Sequence, residues 1–144
     1  MEGHVDESDQ LARLERHVYE RTKPVTCLDD LHVISCSPKS VTLRTRVAPT
    51  SLNLRGFAHG GWLFTLCDAA SGALVFSRGL DCVTQQASIN YLRGAAPGEQ
   101  ITIRVQNLHW GRSTVVNVVT LTNADDKPIA SCTLTMFVMG EALD

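Results

Sequence analysis

Hydrophobic positions along the chain keep two different periods, and the order in which those periods change predicts the elements. Residues 6–21 carry Leu11, Leu14 and Val18 three to four apart among charged neighbours, with Asp6 or Ser8 placed to cap. That spacing predicts a short amphipathic surface helix. From Leu31 to Val47 the period falls to two: Val41, Leu43 and Val47 oppose Thr42, Arg44 and Arg46, and Pro38 with Lys39 supplies a turn. This predicts a two-stranded hairpin. A polar linker, APTSLNLRGFA, leads into an apolar run from Gly60 to Ser77, which reads as a helix ending near Arg78 and Gly79. Period two then returns four times. Val83, Gln85, Ala87, Ile89 and Tyr91 alternate with Thr84, Gln86, Ser88 and Asn90. Ile101, Ile103 and Val105 follow a Pro97–Gly98 turn, RSTVVNVVTLT follows Gly111, and PIASCTLTMFV follows a turn at residues 124–127.

The predicted order is helix, two strands, one long apolar helix, four strands. A helix that is apolar nearly all round has to be buried on most sides. One sheet of six long, mostly antiparallel strands achieves this by curling around it, which predicts an α+β fold rather than βαβ units. At 144 residues with 44% hydrophobic content, the chain suits a single domain over 1–144, of which 1–25 is an N-terminal helical extension.

Charge and composition exclude several functions. A formal net charge of -2 and a pI near 6.2 give no overall basic footprint for nucleic acid. The acidic start MEGHVDESDQ is the opposite of a secretory signal and lacks the Arg-rich character of a transit peptide, so a cytoplasmic protein is expected. Cys27, Cys36, Cys67, Cys82 and Cys132 are scattered, with no CxxC or Cys/His spacing suited to zinc. They are expected to be reduced core thiols, and no metal is expected. The run from Gly60 to Ser77 has no Lys or Arg, but Asp68, Thr65, Ser71 and three glycines make it a poor bilayer span.

Asp68 is the feature that asks for chemistry. It is the only residue between Gly60 and Ser77 that carries full charge at neutral pH. An unpaired carboxylate in apolar surroundings costs several kcal/mol or takes up a proton. A helix that only filled a core would hold Ala or Leu there. Two readings stand at this point, a satisfied structural carboxylate and a working one. Cys67 beside it has no His/Asp arrangement that would make it a nucleophile.

The run Asn53-x-x-Gly56-x-x-His59-Gly60-Gly61, with Asp68 seven residues on, closely resembles the hotdog-fold acyl-CoA thioesterases of the phenylacetate-degradation, PaaI-like type. The resemblance continues through Val83-Thr84, Asn90-Tyr91-Leu92, Ala95-Ala96-Pro97-Gly98 and Gly111-Arg112-Ser113, and covers residues 30–138. It implies a curved six-stranded sheet around a long central helix, and hydrolysis of an aromatic or medium-chain acyl-CoA. Two subunits then join their sheets with each active site between them, and two such dimers commonly form a homotetramer. One chain supplies Asn53, His59 and Gly60, and its partner supplies Asp68 and Thr84. Coenzyme A is part of the substrate, and no cofactor is implied.

These residue types suit the reaction. The Gly60 N–H lies at a helix start, where donors lack intrahelical partners and the dipole is positive, so it suits an oxyanion hole. Asp68 serves either as general base on a water or as a nucleophile forming a mixed anhydride; both routes remain open here. Asn53 offers its amide to the water or the carboxylate, Thr84 orients Asp68, and His59 acts either on the loop or as a base. Arg112 with Ser113, and then Arg93, are the candidates for the coenzyme A phosphates. Gly61, Trp62, Leu63, Phe64 and Tyr91 surround the motif as candidate acyl and coenzyme contacts, with Trp62 placed to limit pocket length. Two other classes compete. A hotdog dehydratase for hydroxyacyl thioesters usually separates its His from a Pro-Gly pair, whereas His59 here runs straight into Gly60. A non-catalytic acyl-CoA binding or regulatory module has no need of Asn53, Gly60 and Asp68 together.

Overall fold

The computed structural model describes residues 6–22, 28 and 30–143. The elements run α1 (Glu7–Thr22), β1 (His32–Ser37), β2 (Ser40–Arg46), α2 (Gly60–Ser77), β3 (Leu80–Tyr91), β4 (Gln100–Trp110), β5 (Thr114–Thr122) and β6 (Pro128–Glu141). All six strands form one antiparallel sheet in the order β1-β2-β4-β5-β6-β3. Helix α2 packs against every strand from β2 to β6. A helix about 10 Å across, facing strands about 4.8 Å apart, reaches five of them only if the sheet bends around it. This is the hotdog architecture.

The core lies between α2 and the sheet. Leu66, Cys67, Ala70, Leu74 and Val75 of α2 are wholly buried. They meet Val41 and Leu43 of β2, Ile101, Ile103 and Val105 of β4, Val115, Val119 and Leu121 of β5, and Leu134 of β6, the positions the alternation selects. Helix α2 stops as expected: Arg78 N–H bonds Val75 O at 3.1 Å, Gly79 N–H bonds Phe76 O at 2.8 Å, and Gly79 takes φ +81, where a side chain would be strained. Helix α1 buries Leu14 and Val18 against this core. No helix among the described residues is long and apolar enough to cross a membrane. Cys36, Cys67, Cys82 and Cys132 are free thiols, and Cys27 lies outside the described residues.

One face assignment is corrected. Simple alternation groups Val83 with Ala87 and Ile89, yet Val83 is 51% exposed while those two are half-buried. Between Thr84 and Gln86 the pairing with β6 slips by one residue, so Gln85 is an extra residue in a β-bulge. An inserted residue reverses the parity of everything before it. Val83 therefore turns away from α2 and Thr84 turns toward it.

A buried polar link orients α2. Hydrophobic contacts are non-directional, so a helix that is apolar all round has little to set its rotation. Asn117 of β5 is 0% exposed among valines, and its Nδ2 donates to Ser71 Oγ at 3.0 Å and Ser71 O at 3.3 Å. Its Oδ1 accepts from Asn107 Nδ2 at 3.0 Å, and Asn107 sits at the bulge of β4. The link reaches α2 three residues from Asp68.

Candidate active site

The loop before α2 is built on Asn53. Its Oδ1 accepts from Arg55 N–H at 2.9 Å and Phe57 N–H at 3.1 Å, while its own N–H donates to Phe57 O at 2.7 Å. Gly56 closes the turn at φ +83. With the oxygen spent on the loop, the side-chain NH2 is the end left for a ligand. Two bonds hold the loop to the body: His59 N–H to Ser51 O at 2.7 Å and Ala58 N–H to Ala95 O at 2.8 Å.

His59 is the N-cap of α2. Its Nδ1 accepts the Gly61 N–H at 2.9 Å, which requires an unprotonated Nδ1 and, in the neutral ring, a proton on Nε2. Tyr91 at the end of β3 donates its hydroxyl to Gly60 O at 2.7 Å. The Gly60–Gly61 peptide is thus held at both its C=O and its N–H. His59 O takes the first helical bond, from Leu63 N–H at 3.0 Å. The Gly60 N–H meets no acceptor among the described residues, and it points out of the positive end of an 18-residue helix. Such a donor suits a developing negative oxygen.

Asp68 lies eight residues further along α2, half-buried, and accepts a hydrogen bond from the Thr84 hydroxyl on Oδ1. Thr84 also lies 3.7 Å from Met136 Sδ. The bulge in β3 makes this meeting possible. Eight residues at about 1.5 Å each place Asp68 about 12 Å from Gly60 along the axis. One carbonyl cannot touch both groups of a single chain.

Of the sequence-predicted residues, the structure groups Asn53, His59, Gly60, Gly61 and Tyr91 at the helix start, and Asp68 with Thr84 in mid-helix. Trp62 is buried, with 7% exposed, and does not line the space beside Asp68. Arg93 follows β3, and Arg112 with Ser113 forms the turn between β4 and β5; all three are exposed. The Cys67 thiol is held well above its ordinary range by its hydrogen bond with the Cys132 thiol and by burial, so it stays protonated. Burial, then Asp81 and Asp68, push the Cys82 thiol up to about 11.

A feature absent from the sequence reading is a cavity of about 220 Å3 beside Asp68, between α2, α1 and the start of β3. Thr65, Ala69 and Gly72 form its α2 side, and Val18, Thr22 and Leu28 face them. Arg21 of α1 pairs with Asp81 of β3 at 3.4 Å along its wall. His17, also at the wall, stacks on Phe76 with ring centroids 3.2 Å apart, and burial with help from Arg21 pushes its pKa down to about 4. The available signal was Gly72, a glycine in the middle of a helix.

Comparison with known proteins places the chain. Residues 55–130 match the family model described as "Thioesterase superfamily". Acyl-coenzyme A thioesterase PaaI of Escherichia coli is 30% identical over 100 residues, 69% of this chain and 71% of that one. Its solved structure superposes with a TM-score of 0.85 at 25% identity, over 96% of this chain and 100% of that one. A hypothetical thioesterase of Streptococcus pneumoniae, solved with coenzyme A, is 42% identical with a TM-score of 0.77, over 80% of this chain and 93% of that one. A Streptococcus mutans protein bound to acetyl CoA is 41% identical with a TM-score of 0.78, over 83% and 96%. The pneumococcal protein has also been solved with alanine in place of an aspartate and in place of a threonine sixteen residues later, the separation of Asp68 from Thr84 here.

Proposed function

The chain belongs to the thioesterase superfamily, and on that premise we propose that it is a cytoplasmic acyl-CoA thioesterase releasing coenzyme A from an aromatic or medium-chain acyl-CoA. The observation that carries the reading is the carboxylate of Asp68, fixed by the Thr84 hydroxyl on a helix that holds no other charge. The coenzyme A ligands of the streptococcal relatives support the substrate class.

The site is assembled from two copies. Strand β3 is a twelve-residue edge strand, with Val83, Tyr91 and the following Leu92 exposed and with Phe137 beside Val83. A long apolar edge of this kind pairs with another strand in native proteins. Antiparallel pairing of β3 with its symmetry mate brings the Gly60 end of one α2 toward Asp68 of the other, which the 12 Å separation within one chain requires. Two such dimers then make the homotetramer.

In this reading Asp68 removes a proton from a water as its oxygen attacks the thioester carbon. The carbonyl oxygen becomes an oxyanion held by the Gly60 N–H. Collapse breaks the C–S bond; the acid forms and the coenzyme A thiolate leaves, taking up the proton held by Asp68. The Asn53 NH2 holds the water, and Arg112 with Ser113 and Arg93 meets the coenzyme phosphates. Direct attack by Asp68, through a mixed anhydride, is the alternative route to the same products. The high pKa of Cys67 argues against a thiolate nucleophile.

Loss of thioester absorbance on short, medium, long and aromatic acyl-CoAs tests the reading, with Asp68→Asn run beside the native chain. Turnover should fall at least about 100-fold in the variant, the scale of a lost general base. Native protein that is folded and dimeric yet turns over no member of the panel, or a variant as active as the native chain, refutes it.

A further inference from the structure

We propose that Tyr91 is a positioning residue: its hydroxyl, bonded to the carbonyl of Gly60, keeps the Gly60 N–H aimed at the substrate carbonyl. The inference rests on the Gly60 N–H as the oxyanion donor and adds what aims it.

An oxyanion donor works because it is already in place when charge develops. Glycine is the residue least able to hold a direction by itself, since both of its backbone angles are free. The Gly60 N–H belongs to the His59–Gly60 peptide and the Gly60 C=O to the Gly60–Gly61 peptide, and these two planes swivel about the Gly60 α-carbon. The first plane is held where His59 O accepts the Leu63 N–H at 3.0 Å. The second is held by the Gly61 N–H on His59 Nδ1 at 2.9 Å and by the Tyr91 hydroxyl on Gly60 O at 2.7 Å. The bonds involving His59 are internal to the helix start, and helix ends fray. Tyr91 comes from the sheet, 31 residues further along the chain.

Packing points the same way. A β-carbon added at Gly60 would lie 3.1 Å from Tyr91 Cζ and 3.2 Å from its hydroxyl oxygen, so the ring end sits directly on this residue. The segment after β3 continues the clamp: Ala95 O accepts the Ala58 N–H at 2.8 Å, and a β-carbon at Gly94 would lie 3.3 Å from the Phe57 ring.

The bulge in β3 is an independent support. Thr84 and Tyr91 are seven residues apart, and in a regular strand an odd separation puts two side chains on opposite faces. The extra residue at Gln85 brings both to the α2 face. One strand therefore bonds Asp68 through Thr84 and Gly60 through Tyr91. Where two β3 strands pair, the register of that pairing sets the donor aimed by one strand against the carboxylate held by the other.

The test is Tyr91→Phe, which keeps the ring and removes the hydroxyl. With the best acyl-CoA substrate, kcat should fall about 5-fold, one neutral hydrogen bond converted to rate, while KM and the dimer stay as in the native chain. No loss, or a loss confined to KM, overturns the proposal and leaves the hydrolase reading standing. A carbonyl probe reads the donor without turnover: the ketone analogue of acetyl-CoA with CH2 in place of the sulfur, labelled with 13C at the carbonyl. At saturation its carbonyl resonance should move downfield on native protein and by less on Tyr91→Phe. Equal shifts on the two proteins overturn the role of Tyr91. A smaller shift on Tyr91→Phe, in a protein whose native form turns over no acyl-CoA, keeps that role and sinks the hydrolase. No downfield shift on native protein removes the Gly60 donor and the role of Tyr91 together.

Discussion

Replacing Gly60 by proline removes one hydrogen atom that the mechanism depends on and little else. Position 60 is the first residue of α2, where the N–H has no intrahelical partner and proline is well accepted. The residue before a proline must be extended, and His59 already is, at φ -65 and ψ 136. Carbon at the β position would meet the Tyr91 ring at 3.1 to 3.4 Å, so the ring must yield by a few tenths of an ångström. Gly60→Ala introduces that same β-carbon but keeps the N–H, and so subtracts the steric part. Loss of one oxyanion donor is worth about 2.7–4 kcal/mol, or 100- to 1000-fold in kcat. The expected result is therefore a Gly60→Pro variant at least about 100-fold slower than Gly60→Ala, with melting temperatures close together. Steady-state kinetics on the best acyl-CoA, with size-exclusion chromatography to verify the dimer, makes the measurement. Equal activity of the two variants would refute the oxyanion role of Gly60. The same variant tests the shared site: mixed dimers of Gly60→Pro and Asp68→Asn chains contain one intact site and should regain activity, whereas a site within one chain would regain none.

Two further outcomes concern stability. Asn117→Leu leaves the buried Ser71 hydroxyl without its partner, while Asn107 Nδ2 keeps its bonds to His109 O and Val116 O; one unsatisfied group costs about 1–3 kcal/mol, so the melting temperature should drop by roughly 3–10 °C, and an unchanged value would deny that link its orienting role. His17 is the second. With its pKa pushed from 6.5 down to about 4, the unfolded chain binds a proton that the folded chain refuses, so stability falls as pH drops from about 6.5 to 4. The ring is only partly buried, which reduces a nominal 3 kcal/mol to about 1–2 kcal/mol. Denaturant titrations across that window should show a shallower slope in His17→Phe than in the native chain, and identical slopes would contradict the assignment. His32, held up by Glu15 and Asp30, acts with the opposite sign, its stabilisation present below pH 6.5 and lost as pH rises.

The parts of this protein that the sequence determines are those set by near neighbours in the chain. Periods of two and 3.6 delimit the strands and α2 because they report which residues share a face, and the all-apolar α2 demands a sheet on most sides. The His59-Gly60-Gly61 start of α2 is legible for the same reason, since cap, donor and loop lie within a few residues of one another. What tertiary structure alone decided depends on pairing across the sheet. Thr84 meets Asp68 because β3 slips one residue against β6, and no local pattern in QQAS announces which residue will be extra. Tyr91 reaches Gly60 across thirty-one residues of chain, and the cavity exists because α1 docks beside a helix face left low by Ala69 and Gly72. A bulge, a cross-element hydrogen bond and an unfilled volume are properties of two surfaces meeting, and each surface alone carries only half of the information.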